Sequence, residues 1–464
     1  MAEREYAATE SVNQEDRKLS FWDMTLTWIG ANANNGSWYV GGVVAGAAFA
    51  GAALVTVIAN PIAYLIMALV GLIGYRVGTS TMSLTRPAFG LRGSYLPSLL
   101  NATQFIGWTA ANTFIAAISI SFICKDLFHW PAYQEPGGQW SMLFGILVMS
   151  VLHLLSIAAG HQSVRLVERI GVVLILILGV WETWVVLNHV SFHEILTWQP
   201  PQKQALPIGV AMDAMAAFSL GWVPAIAEFT RYGKTRGTAT VAPMIGANVG
   251  LFWFSFVGIV GAIGTAITTG VYDPNNSDPS TIVSQLGLGV LAMLVIILTS
   301  TTANAVNLMA AGISITNITN RVKPLAALWL VTLVAAVLTA VPLFFSSFLD
   351  WFINFLDYIG MVFGPVFGIL LMDYYVIRRQ KYDVSQLTAV KGPYWYRAGV
   401  HYGAMFTWIV SVVFFLVIRQ LPLFQHSIGA TYPTIVESAI LYYLVTKLTR
   451  RSRDGYAERT EVAK

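Results

Sequence analysis

Cysteine and charge are what this chain has least of. One cysteine, Cys124, among 464 residues excludes an intrachain disulfide. Charged residues make up only 11% of the sequence, against roughly 25% in a soluble globular protein. Spacings that carry chemistry are missing too. There is no phosphate-binding glycine loop beside a basic pocket, no CxxC or paired-histidine metal spacing, and no placed nucleophile–base pair. Enzyme and cofactor readings find no footing, so neither catalytic residues nor a cofactor are predicted. The first twenty residues mix acids and bases without an apolar core, and no cleavable signal peptide is expected.

What the chain has in abundance is apolar length, with 56% hydrophobic residues. Runs of eighteen or more recur throughout, and each is long enough to cross a hydrocarbon layer of about 30 Å. Twelve spans are predicted, at about 23–48, 51–76, 95–123, 140–160, 167–188, 207–228, 240–269, 281–316, 325–345, 349–376, 400–418 and 430–448. With a cytoplasmic N-terminus, 24 of the 27 Lys and Arg fall on inner loops and tails, among them Arg76, Arg86, Arg165, Arg169, Arg231, Arg321, Lys323 and Arg378. Only Lys125, Lys203 and Arg419 fall outside, and this asymmetry supports both the count and the orientation. The sequence therefore predicts an all-α, multi-pass protein of the plasma or inner membrane with both termini cytoplasmic. Its net charge of +4 calls for the lipid bilayer as partner and for no nucleic acid.

Two spans are interrupted. "GANANNGSWYVGG", residues 30 to 42, puts Asn32, Asn34 and Asn35 between Gly30 and Gly36 inside the first span. Glycine weakens a helix and asparagine competes for backbone partners. "MAAFSLGWVPAIAEFTRYG", residues 215 to 233, puts Gly221 and Pro224 inside the sixth. Irregular backbone at membrane depth is tolerated only where protein or a watery cavity covers it. Spans 1 and 6 each open a block of five, and five is odd, so the second block enters from the opposite side. Matching breaks in two inverted halves point to a secondary transporter with its site at the midplane. Carbonyls at the first break would meet a cation, and side chains such as Asn32 and Asn34 a solute. The organisation expected is a cytoplasmic tail (1–20), a first inverted repeat (21–190), a second (207–377), spans 11 and 12 (399–448) and a cytoplasmic tail (449–464).

The chain resembles the purine–cytosine permease family, the first family of nucleobase–cation symporters, which includes hydantoin, allantoin and hydroxymethylpyrimidine carriers. The resemblance spans all twelve helices. It is carried by "TWIGANANNGSWYVGG" (27–42), "TRPAFGLRGSYLPSLLNATQFIGW" (85–108), "AEFTRYGK" (227–234), "STTANAVNLMAAGISITNIT" (300–319) and "GPVFGILLMDYYVIRR" (364–379). It implies a leucine-transporter-like fold, five plus five inverted helices and two more, that imports a small neutral heterocycle with Na⁺ or H⁺ by alternating access. The implied Na⁺ ligands are the carbonyls of Gly30, Ala33 and Leu298 with the hydroxyls of Thr301 and Thr302. Hard oxygens without a carboxylate favour Na⁺ over a proton. The implied aromatic platform is Trp108, and Gln104 and Asn112 lie one helical turn to either side on the same face. A second clamp falls at Ser219, flanked by Phe218 and Trp222, and span 8 adds Asn304 and Asn307. Carboxamides offer a donor and an acceptor together, as the edge of a pyrimidine or ureide requires. The individual heterocycle stays open, and so do proton coupling and an amino-acid cargo on the same fold.

The few charges at membrane depth are read one at a time. Asp23 and Asp213 suit helix N-termini, and Glu228 suits an ion pair with Arg231 three residues on. Asp373 suits a pair with Arg378, and His153 a hydrogen bond inside the bundle. Asp357 and Asn354 are candidates for an external gate.

Overall fold

The computed structural model describes residues 12–318, 324–345 and 347–462, without the side chains of 14, 157–169, 316, 324, 325, 327 and of 450 onward. Arg321 and Lys323 lie outside the described residues, and so do the side chains of Arg165 and Arg169. Within them the chain is helical, with β-bridges only at Leu19 with Gly233 and Arg397 with Val400. Nine helices among the described residues are long and apolar enough to cross a membrane, and Tyr402–Ile418 is a shorter apolar one.

Span 1 is two helices, Phe21–Asn32 and Asn35–Val44, and span 2 is Ala48–Val77. Span 3 runs Tyr95–Phe128. Spans 4 and 5 share one continuous helix, Gly138–His189, although a loop between them was expected. Residues 153 and 171 of a straight helix would lie about 27 Å apart. Instead His153 bonds Asn304 while Gly171 faces Thr302, its near neighbour on span 8. The helix is therefore not straight, and its apolar halves Gly138–Ser156 and Ile170–His189 serve as separate spans. Span 6 is Ile208–Leu220, a 3₁₀ turn Val223–Ala225, and Ile226–Thr230. Span 7 is Arg236–Thr269, span 8 Gly289–Ile318, span 9 Pro324–Ala340 and span 10 Phe348–Leu371. Span 11 is Tyr402–Ile418, and the last helix, Thr431–Val462, continues through the C-terminal tail.

Two bodies follow from the packing. Span 7 lies along spans 1 and 2, and span 6 lies on span 2. Span 8 lies along spans 3, 4 and 9. Glycine sets how closely the first body closes. A Cβ on Gly246, Gly250 or Gly258 of span 7 would stand 2.3, 2.6 or 2.0 Å from the carbonyl oxygens of Thr25, Ile29 or Trp38. Such approach lets dispersion and backbone contacts replace the hydrophobic drive that lipid does not supply. Between spans 7 and 8 a short lid helix, Pro279–Gln285, is buried against span 3, where Ser280 Oγ donates to the Ile115 carbonyl at 2.7 Å and Ser119 Oγ to Ser280 Oγ at 2.8 Å.

Candidate binding site at the helix breaks

The first break is two residues wide. Ala33 and Asn34 leave helical geometry (φ −82°, ψ 73°; φ −145°, ψ 169°). The three asparagines then satisfy what the break exposes. Asn34 Oδ1 caps the second half-helix by accepting the Ser37 N–H at 3.0 Å, while its Nδ2 donates to the Ala31 carbonyl at 2.6 Å. Asn32 donates to the Trp28 carbonyl (3.1 Å) and accepts from the Tyr64 hydroxyl (2.6 Å). Asn35 Nδ2 reaches span 8, where the Ile296 carbonyl, Thr299 Oγ1 and Ser300 Oγ lie at 2.9, 3.0 and 2.9 Å. At the second break Pro224 sits in the 3₁₀ turn Val223–Ala225, and the freed Gly221 carbonyl is capped by Gln104 Nε2 at 3.0 Å.

Between the breaks lies a cavity of about 20 Å³, lined by Asn34, Trp108, Asn112, Phe218, Trp222 and Asn307, with Gly36, Phe105, Gly221 and Ala303. One water needs roughly 10–15 Å³ by this measure, so a flat guest has to displace rings to enter. Trp108 is held edge-on by Phe218 (5.1 Å, 76°) and Phe355 (4.9 Å, 78°). Trp222 stands perpendicular to Trp28 at 5.8 Å. Gly36 and Gly221 border the cavity because they have no side chain: a Cβ would stand 3.3 Å from the Phe218 ring and 3.0 Å from the Trp108 indole nitrogen. Asn112 donates to Asn304 Oδ1 at 3.2 Å, and its own buried Oδ1 has no partner.

A family model for permeases of cytosine and purines, uracil, thiamine and allantoin matches residues 11–445. The chain belongs to this permease family. The allantoin permease of Bacillus subtilis (strain 168) is 23% identical to it, over 94% of this chain and 91% of its own length. The cytosine permease of Escherichia coli (strain K12) is 25% identical, over 80% and 81%. Among solved structures, inward-facing Mhp1 superposes with a TM-score of 0.77 at 17% identity, covering 96% of this chain and 94% of that one. Mhp1, a nucleobase-cation-symport-1 family transporter, superposes with a TM-score of 0.76 when closed with bromovinylhydantoin bound. The fold is thus leucine-transporter-like, five plus five inverted helices and two more, and the protein is a transporter rather than an enzyme.

In this permease the residues predicted for the solute divide into two sets. Trp108, Asn112, Asn34, Phe218, Trp222 and Asn307 line the cavity together. Asn32, Gln104, Ser219 and Asn304 stand behind it. Ser219 Oγ donates to Asn60 Oδ1 at 2.9 Å, facing span 2. Asn304 is a fully buried hub that donates toward the Thr109 carbonyl (3.1 Å) and accepts from Asn112 and Asn307. Phe105, Phe355 and Tyr64 had no sequence signal, because one aromatic among many apolar residues does not stand out.

Two of the predicted cation ligands, Gly30 and Thr302, border one turn of span 5. Gly30 faces Val172, and Gly171 faces Thr302 Oγ1, with virtual Cβ distances of 3.2 and 3.4 Å. Thr301 and Thr302 donate their protons to the Ile297 and Thr299 carbonyls at 2.9 Å each, which leaves hydroxyl lone pairs free for an ion. Among the described residues no group of three His, Cys, Asp or Glu side chains suits a metal.

Several charge assignments change. Glu228 does not pair with Arg231: its carboxylate takes the Thr81 hydroxyl at 2.6 Å, and Arg231 lies over the Tyr232 ring. Asp213 caps span 12 rather than its own helix, accepting the Ala430 and Thr431 N–H groups at 2.8 and 2.7 Å. Asp357 pairs with Arg419, and Asn354 donates to the Asp350 carbonyl. Asp23 does close a capping box with Ser20, and Asp373 does meet Arg378 at 2.9 Å. His153 lies inside the bundle, 3.1 Å from Asn304.

Proposed function

We propose that this permease imports a small neutral nitrogenous heterocycle or ureide, of the nucleobase, hydantoin or allantoin class, by Na⁺ symport through alternating access. The observation that carries this reading is the cavity at the two breaks, where the Trp108 ring meets the unpaired Asn112 Oδ1 and the Asn307 amide. An aromatic face takes the flat ring. A carboxamide pair takes an edge carrying both N–H and C=O. The printed names of its relatives, and the hydantoin bound in Mhp1, support a cargo of that kind.

Na⁺ is held by the carbonyls of Gly30, Ala33 and Leu298 and the hydroxyls of Thr301 and Thr302. Binding there ties span 1 of one body to span 8 of the other and favours the form that takes up solute, a population shift shared between two ligands. The protein lies in the plasma or inner membrane with both termini cytoplasmic, supported by the inner bias of Lys and Arg.

A thermal-shift screen of the purified protein over purines, pyrimidines, hydantoins, allantoin and amino acids, with and without Na⁺, tests the reading. A heterocycle is expected to stabilise the protein more in Na⁺ than in choline. Stabilisation by amino acids alone would overturn it. Thr302→Ala is expected to raise the Na⁺ concentration at half-maximal uptake about tenfold or more, the loss of one charge-assisted ligand. An unaltered Na⁺ titration would remove this residue from the cation site.

A further inference from the structure

Glu182 has no place in the site above. It lies in the outward half of span 5 with no solvent exposure, and neither carboxyl oxygen has a hydrogen-bond partner. Its seat is Gly261 of span 7, where a Cβ would stand 1.9 Å from Oε1 and 3.2 Å from the Ile282 side chain of the lid helix. One turn to either side, Gly258 meets the Trp38 carbonyl and Gly264 meets Val186. The carboxyl group is therefore enclosed where spans 5, 7 and the lid come together.

Among the described residues no neighbour supplies a counter-charge. Span 7 has no ionisable residue beyond Arg236 at its inner start, and span 8 has none at all. The half-helix Asn35–Val44 offers only Tyr39. The lid segment offers Tyr272, Asp273 and Asp278, and the last of these already accepts the Thr281 N–H at 3.0 Å. On span 5 itself His189 is exposed two turns outward, followed by the exposed His193 and Glu194. Arg169, whose side chain lies outside the described residues, is about 20 Å inward along the helix. An unpaired carboxylate out of water costs several kcal/mol, and such a group takes up a proton instead.

Position gives this proton a use. Span 7 packs along spans 1 and 2, while the Gly138–His189 helix packs on spans 3 and 8 as well as on span 7. Glu182 and Gly261 face each other across that joint. We infer that Glu182, seated on Gly261, is a proton-binding site of the carrier: the carboxylate takes a proton from external water while spans 5 and 7 stand apart, holds it as they close on each other, and gives it to internal water once the cavity opens inward. The inference rests on the carrier reading and adds a proton as coupling ion beside the cation at the first break.

The test uses full-length protein in liposomes enclosing a pH-sensitive dye, with uracil, cytosine, allantoin and hydantoin added singly. Wild type is expected to acidify the lumen as solute enters. In Glu182→Gln, which keeps the shape of the side chain, the proton signal per solute is expected to fall to background and uptake to lose its dependence on external pH. Infrared spectra of the same samples are expected to show a protonated-carboxyl stretch in wild type that the variant lacks. An unchanged proton signal, or identical infrared spectra, would overturn the inference. If none of the four solutes enters either protein, the heterocycle reading fails, and the infrared comparison still decides whether Glu182 holds a proton.

Discussion

Trp108 is 8% exposed and touched by three aromatic edges. Its neighbours pack it, yet its place between the two breaks is what a flat guest needs. Trp108→Ala is expected to abolish solute-induced stabilisation, and Trp108→Phe to restore part of it by returning an aromatic face. Thermal shift on both variants separates the stack from a folding defect, because each variant reports its own unliganded melting temperature. Equal stabilisation of Trp108→Ala and wild type would remove the stacking role. The asparagines of the first break show a different residue-scale lesson. One caps a helix, one braces span 2 and one reaches span 8. Three identical side chains, within four residues, serve three different neighbours.

At the scale of elements, the lid helix is the part whose stability responds to pH. Asp278 caps it from a fully buried position, and burial pushes its carboxyl up to about 6, against the opposing bonds from Thr281 and nearby backbone. The raised value sets the sign. Below the unfolded value near 3.8 the acid is neutral in both states and its contribution is complete; as pH rises to about 6 the unfolded chain ionises first and that contribution is lost. Two units correspond to on the order of 3 kcal/mol. Asp278→Asn keeps an acceptor for the Thr281 N–H and removes the titration. Melting temperature is expected to fall from pH 4 to pH 7 in wild type relative to the variant, and parallel curves would refute the assignment.

For the whole molecule, the alternating access proposed above would have the body of spans 1, 2, 6 and 7 rock against that of spans 3, 4, 8 and 9. The lid is fastened to the second body by the Ser119–Ser280 contact at 2.8 Å. Cysteines at both positions are expected to form a disulfide on mild oxidation and to stop uptake until a reductant is added. The native Cys124 is 3% exposed and leaves the background clean. Uptake at the wild-type rate in the oxidised double variant would show that the lid does not separate from span 3 during transport. The Asp357–Arg419 pair ties span 10 to the end of span 11, outside the moving joint.

The amino-acid order alone determined the spans, their breaks and the residue types at the breaks, because lipid leaves a backbone few options and punishes every exception visibly. Trp108, Asn112 and Asn307, which line the cavity between the breaks, stand out in the sequence, the first through the family resemblance and the other two because carboxamides are scarce in these helices. Which carboxamides face the cavity and which stand behind it was decided only in three dimensions. Helical periodicity places Gln104 and Asn304 on the right faces, but the Gly221 carbonyl and the Thr109 carbonyl, each from another helix, take their hydrogen bonds. Glu182 stands in the sequence as a charge at membrane depth, but only the fold brings Gly261 against it and leaves both its oxygens without a donor. Partners distant in sequence set the energy of a buried polar group, so its role is settled by tertiary structure.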